Sequence, residues 1–170
     1  MINNPFYPKL NNYFLHTGYL FVTPEPTIIS TVLGSCVSVC LYDKKLEIGG
    51  MANIQLPYVK DKKKATSRYG NIAIPLLIRT FIKQGSNLKH MEAIILGGAC
   101  NFAISSIDIG IKNISVIKKI ILQNKINIAS EDIGGKKGRK VIFNTQTNET
   151  VVMKVDRIRK GDWYPYKAKR

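Results

Sequence analysis

Cys36 is the residue whose neighbours best suit it to act as a nucleophile. It follows Leu33-Gly34-Ser35 directly, where a loop runs into the strand-like segment 36–42. Gly34 lets the backbone turn tightly there, and N–H groups in such a turn can be left free to hold an oxyanion. The competing reading is a small buried apolar residue, the usual fate of a free cysteine. Attack requires the thiolate, and a free thiol with a pKa of about 8.5 is only slightly ionised at neutral pH. A neighbouring histidine normally supplies the base. The chain has two, His16 near the start of a strand and His90 just before Met91. The ordinary reading of each is a surface histidine.

The other cysteines offer less. Cys40 lies four positions beyond Cys36, about 13 Å along an extended strand, which is too far for a disulfide. Cys100 follows Gly98-Ala99 and reads as a core residue. Three thiols, an odd number, make no disulfide framework and point to a reducing compartment. Their spacing is not that of a zinc site, so neither metal nor cofactor is inferred.

These residues must be held by a strand-rich scaffold. Segments 18–23 and 27–30 read as strands separated by the turn Pro24-Glu25-Pro26. In segment 36–42, Val37, Val39 and Leu41 take one face and Cys36, Ser38 and Cys40 the other, a period of two. Segments 47–56, 93–96, 126–129, 140–143 and 150–155 are further strand candidates, with turns at Gly134-Gly135 and Thr147-Asn148. Ala73, Leu76, Leu77, Thr80 and Phe81 recur at helical spacing, with Pro75 placed in a first turn and Gly85 as the stop. Ile111, Ile114, Ile117 and Ile121 form the stripe of a second helix. Many neighbouring strands have connections short enough for antiparallel pairing. The expectation is an α+β fold, with a core of largely antiparallel strands and helices packed on the outside.

Residues 1–170 read as one domain, long enough to bury roughly 70% of its unfolded surface. A basic C-terminal tail begins at about residue 157. Residues 1–8 lack the charged-then-apolar order of a signal peptide, and the uncharged stretch 27–42 is short for a membrane span and rich in Ser, Thr and Gly. A cytoplasmic protein without membrane insertion is therefore expected. The formal charge is +15, concentrated in residues 60–68, in residues 154–170 and at Lys136, Lys137, Arg139 and Lys140. Such patches favour encounter with polyanions in general, although solvated loops are the plain reading. No zinc-finger, helix-turn-helix or aromatic RNA-binding signature accompanies them, so specific nucleic-acid binding is not inferred.

Taken in order, the motifs resemble one family. The run Thr31-Val32-Leu33-Gly34-Ser35-Cys36-Val37-Ser38-Val39-Cys40-Leu41 is followed by Gly49-Gly50-Met51-Ala52 and Leu56-Pro57. Then come Arg68-Tyr69-Gly70, Gly97-Gly98-Ala99, Ile109-Gly110 with Asn113, Asp132-Ile133-Gly134-Gly135, and Gly138-Arg139-Lys140-Val141 with Phe143. This ordered set closely resembles the chemotaxis protein CheD family, whose members are chemoreceptor glutamine deamidases. The resemblance implies a β-sandwich-like core flanked by helices and a cysteine thiolate that attacks a side-chain amide. It also implies two kinds of partner, chemoreceptor cytoplasmic helices and a chemotaxis phosphatase of the CheC type.

The resemblance assigns the nucleophile to Cys36. The family's catalytic histidine, 17 residues after the cysteine, falls on Asn53, whose amide cannot accept a proton near neutral pH. The threonine that orients that histidine falls on Ser30, with Thr31 the fallback if the local register differs. His16 is the first candidate for a replacement base. The alternative is a weakened or inactive homologue that binds the phosphatase or the receptors.

Overall fold

The computed structural model describes residues 10–100 and 108–163; the segment 1–8 considered above and the end of the basic tail lie outside them. Among the described residues, nine strands form two sheets. Strands β1 (Asn11–Phe14), β3 (Thr27–Leu33), β8 (Gly138–Asn144) and β9 (Thr150–Val155) make a four-stranded sheet in the order β1-β3-β8-β9. Strands β2 (Leu20–Thr23), β5 (Ile48–Ile54), β4 (Val37–Asp43), β6 (Met91–Gly97) and β7 (Asn127–Ile133) make the other, in that spatial order. All pairs are antiparallel except β1–β3 and β6–β7. The α+β reading holds, with largely antiparallel strands.

The core has two layers because β4 is central and buried on both faces. Val37, Val39 and Leu41 pack towards helices α1 (Gly70–Lys83) and α2 (Ile109–Gln123), meeting Ala73, Leu77, Phe81, Ile117 and Ile121. Cys36 and Cys40 face the other way, into a layer with Leu15, Ile29, Leu33, Met51, Ile94, Leu96, Val141 and Phe143 between the sheets. The period-two alternation thus separates the two layers. A short helix, α3 (Lys160–Trp163), begins where the tail was expected. Its Asp162 binds Lys140 at 2.6 Å, and Ile158 packs close to Gly138.

Several local expectations need correction. Strand β1 has no alternating pattern to announce it, and its parallel pairing with β3 makes it a strand. Helix α1 starts at Gly70, so Pro75 is its sixth residue and lies inside it. In α2, Ile111 is 57% exposed, and the buried stripe is Gly110, Asn113, Ile117 and Ile121. Short connections also mislead: β2 and β3, and likewise β3 and β4, are close in sequence but lie in different sheets.

Candidate active site

The cysteine loop, residues 34–36, is the crossing from β3 in one sheet to β4 in the other. All three of its carbonyls are tied down. Gly34 O accepts from Ala99 N at 2.9 Å and Cys36 O from Gly98 N at 2.8 Å. Ser35 O accepts from Asn113 Nδ2 at 3.2 Å, and the same amide reaches Gln55 O at 3.1 Å. Among the described residues, no oxygen accepts from the N–H groups of Gly34, Ser35 or Cys36. A loop whose carbonyls are all directed into the scaffold leaves its N–H groups available for an incoming oxygen.

The conformational demand falls on a different glycine from the one expected. Gly34 has open space where a Cβ would sit and no positive φ. Gly97 has φ +105°, and a Cβ there would lie 2.4 Å from Cys36 O. The end of β6 presses against the loop, so its backbone must be bare at that point.

Cys36 is 8% exposed. Burial pushes its thiol above the ordinary value, because a thiolate loses hydration there; the Thr17 hydroxyl and the residue's own backbone N–H offset part of this. Thr17 Oγ1 is buried and forms no complete hydrogen bond, so the thiol is the group it is placed to serve. Cys40 is fully buried and its thiol is pushed up much further by desolvation. Cys100 is half-exposed, contrary to the core expectation. Its thiol is raised by desolvation and by Asp108; the residue ends the strap 97–100, which follows β6 and lies beside the 134–135 turn, outside both core layers.

Asn53 lies on β5 opposite Ser38, on the same inter-sheet face as Cys36. Diagonal neighbours on one sheet face are about 7–8 Å apart, within reach of a long or aromatic side chain at either position. Asn53 is 0% exposed, and its Nδ2 donates to Thr31 Oγ1 at 2.8 Å. Thr31 gives its own proton to Leu15 O at 2.7 Å, so it can only accept from Asn53. That fixes the amide, with Oδ1 turned away, buried and unpartnered. Ser38 Oγ, across the strand, is also buried and unpartnered.

The structure therefore joins Asn53 to Thr31, while Ser30, one residue earlier on β3, is half-buried and alternates to the other face. His16 is exposed, next to Thr17, with its ring edge-on to Phe14 at 5.1 Å. His90 precedes Met91, which pairs with Asp43 at the far end of β4, roughly 20 Å from the Cys36 end. Sequence reasoning missed Thr17 and Ser38 as members of the site. The alternation placed Ser38 on the Cys36 face; nothing local marked Thr17.

The Thr31–Asn53 link carries a stability prediction. Thr31→Val leaves Asn53 Nδ2 without an acceptor and Leu15 O without a donor, at a cost of about 1–3 kcal/mol for each buried group. Chemical denaturation of the variant should show a loss of about 2–6 kcal/mol, whereas Ser30→Ala should cost far less.

The family model described as "CheD chemotactic sensory transduction" matches residues 55–154. The chain belongs to the CheD family. A CheD of Sulfurimonas denitrificans, named probable chemoreceptor glutamine deamidase, is 38% identical over 147 residues, covering 85% of this chain and 94% of that protein. The chemoreceptor glutamine deamidase CheD of Thermotoga maritima is 34% identical over 139 residues, covering 81% and 88%. A probable deamidase CheD of Clostridium kluyveri is 42% identical over 124 residues, covering 69% and 76%. A match over 85% of the chain necessarily spans the Ser30–Asn53 region, so the likeness to other CheD proteins includes the cysteine loop.

Proposed function

We propose that this protein is a chemoreceptor glutamine deamidase, with Cys36 as nucleophile. The observation that carries this reading is the loop 34–36 beside the thiol, whose carbonyls are all bound while, among the described residues, no oxygen accepts from its N–H groups. In the reaction, Cys36 Sγ forms a bond to the side-chain carbonyl carbon of a receptor glutamine, and the N–H groups hold the developing oxyanion. The C–N bond then breaks and ammonia leaves with a proton taken from water. A second water adds to the thioester, the C–S bond breaks, and glutamate and the thiol are released. Overall, amide plus water gives carboxylate plus ammonium.

Proton traffic is the weak part of this machinery. Asn53 stands where the family resemblance places a histidine, and it cannot take the thiol's proton. The wild-type protein thus depends on solvent to generate the thiolate, with Thr17 providing modest help. Turnover is slow and limited by the ionised fraction of Cys36.

The same observation supports a second reading, in which the site has become a binding surface for receptors or for a CheC-type phosphatase. Among the described residues no helix is long and apolar enough to cross a membrane, which is compatible with the cytoplasmic site of action that both readings require.

Incubation with a receptor cytoplasmic fragment, followed by mass spectrometry, separates them. Each conversion adds about 1 Da at a glutamine. Conversion by the wild type that disappears in Cys36→Ala is the expected result. Absence of conversion in both, with phosphatase binding retained, selects the adaptor.

A further inference from the structure

The β7–β8 turn carries charge that the deamidation chemistry does not use. Lys136 and Lys137 in the turn, Arg139 in β8 and Lys154 in β9 surround a cleft of about 260 Å³, with Gly134 and Gly135 forming its wall. Arg139 is the unusual member, because its side chain is only 3% exposed. A guanidinium so far from water needs acceptors for its N–H groups. Nη2 donates to Asp132 Oδ1 and Gly134 O, both at 2.9 Å, and Nη1 to Lys137 O at 3.1 Å. Nε is buried and has no acceptor among the described residues.

The carboxylates at hand do not balance these cations. Asp132 serves both Arg139 and Lys154, at 2.9 and 3.2 Å. Asp156 pairs with Lys137 at 3.1 Å but is 86% exposed, so that pair is screened and weak. Among the described residues Lys136 has no ion pair. Four cations line the cleft and two carboxylates pair with them; a third carboxylate, Asp108, lines the adjoining cavity with Lys136 but makes no ion pair among the described residues.

The cleft is also wired to the nucleophile loop. Gly134 N donates to Gly97 O and Cys100 N to Gly135 O, both at 2.8 Å, while Gly98 and Ala99 of the same strap hold Cys36 and Gly34. Two strand spacings, β4 to β6 to β7, separate the loop from the turn, which is about 10 Å. Two turns of an α-helix advance by about the same distance.

We propose that this cleft is a recognition subsite for a carboxylate side chain of the target polypeptide, borne on the same helix face about seven residues from the glutamine delivered to Cys36. The inference rests on the deamidase reading for the position of that glutamine. A carboxylate meets the uncommitted Lys136 ammonium, with the buried Arg139 charge behind it, and is opposite to both in sign.

The test uses helical peptides that carry the glutamine and either glutamate or a neutral glutamine seven residues before or after it. Binding to the Cys36→Ala protein is read by fluorescence anisotropy. The acidic residue on one side should tighten binding by about tenfold. Lys136→Glu should erase that preference. Lys83→Glu, the same charge change on exposed Lys83 at the end of α1, should leave it intact. Equal binding of acidic and neutral peptides overturns the proposal, and so does an equal loss in Lys83→Glu, which would assign the effect to net charge. Discrimination in a protein that converts no glutamine would sink the deamidase reading and leave the subsite standing. Conversion without discrimination would do the reverse.

Discussion

Asn53→His raises the rate of glutamine conversion by about 10²–10⁴-fold, the usual contribution of a positioned general base. The scaffold is ready for an imidazole. Thr31 Oγ1 has given its proton to Leu15 and presents only an acceptor to position 53, so one ring N–H is held there and the other nitrogen is directed away from Thr31. In the wild type that second direction belongs to Asn53 Oδ1, which is buried and unpartnered. The imidazole nitrogen would stand on the Cys36 face of the sheet and accept the thiol's proton.

The pH dependence distinguishes the two proteins. Only the thiolate attacks, and burial holds the Cys36 thiol above its ordinary value. Below that pKa the ionised fraction increases by about tenfold per pH unit, so the wild-type rate should climb with that slope from neutral pH to about 9. With histidine as base, the rate should level off above the imidazole pKa of about 6.5. The gain is therefore greatest near neutrality and shrinks as pH rises. Stopped-time mass spectrometry across pH 6–9 measures both curves. A wild-type profile flat over that range, or no gain in the variant, would remove the proton-transfer account.

Gly97→Ala is the second large effect, and it acts on the scaffold. The added Cβ would lie 2.4 Å from the Cys36 carbonyl oxygen, at a residue with φ +105°. Backbone strain of this kind costs about 1–3 kcal/mol, and a clash with backbone cannot be relieved by turning a side chain. The expected loss is about 3 kcal/mol, a fall in Tm of roughly 6–12 °C for a chain of this size. Relaxation would push the loop 34–36 away from Gly98 and Ala99, freeing its carbonyls and disordering the oxyanion donors. Reactivity of Cys36 towards iodoacetamide should change with it. Gly34→Ala is the matched comparison: it meets nothing within 4 Å and should stay within about 0.5 kcal/mol of wild type. Equal stability of the two variants would refute the role given to the β6 strap.

Local sequence determined much of this molecule because local sterics and periodicity are local properties. The alternation of Val37, Val39 and Leu41 with Cys36, Ser38 and Cys40 is fixed by the two-residue repeat of a strand, and both core layers follow from it. The helical stripe from Ala73 to Phe81 and its stop at Gly85 were legible for the same reason, whereas the helix start at Gly70 was not. The thiol at a loop-to-strand junction, the order of the motifs, and asparagine at the family's histidine position were also visible in the chain itself.

Tertiary structure alone decided which groups meet. Ser30 and Thr31 are neighbours with hydroxyls on opposite faces, and a one-residue change of register would exchange them; only the packing of the sheets brings Thr31 to Asn53. Strand β1 exists because β3 offers it an edge. Thr17, whose hydroxyl offsets part of the burial effect on the thiol, comes from a segment 19 residues earlier in the chain. The glycine that the loop requires is Gly97, on another strand, and not the adjacent Gly34. Arg139, read from sequence as one more surface cation, is enclosed beside the 134–137 turn. Arg139 apart, whose acceptors lie within the preceding turn, the deciding contact joins residues far apart in the chain, and a local pattern carries no information about which distant element fills the space beside it.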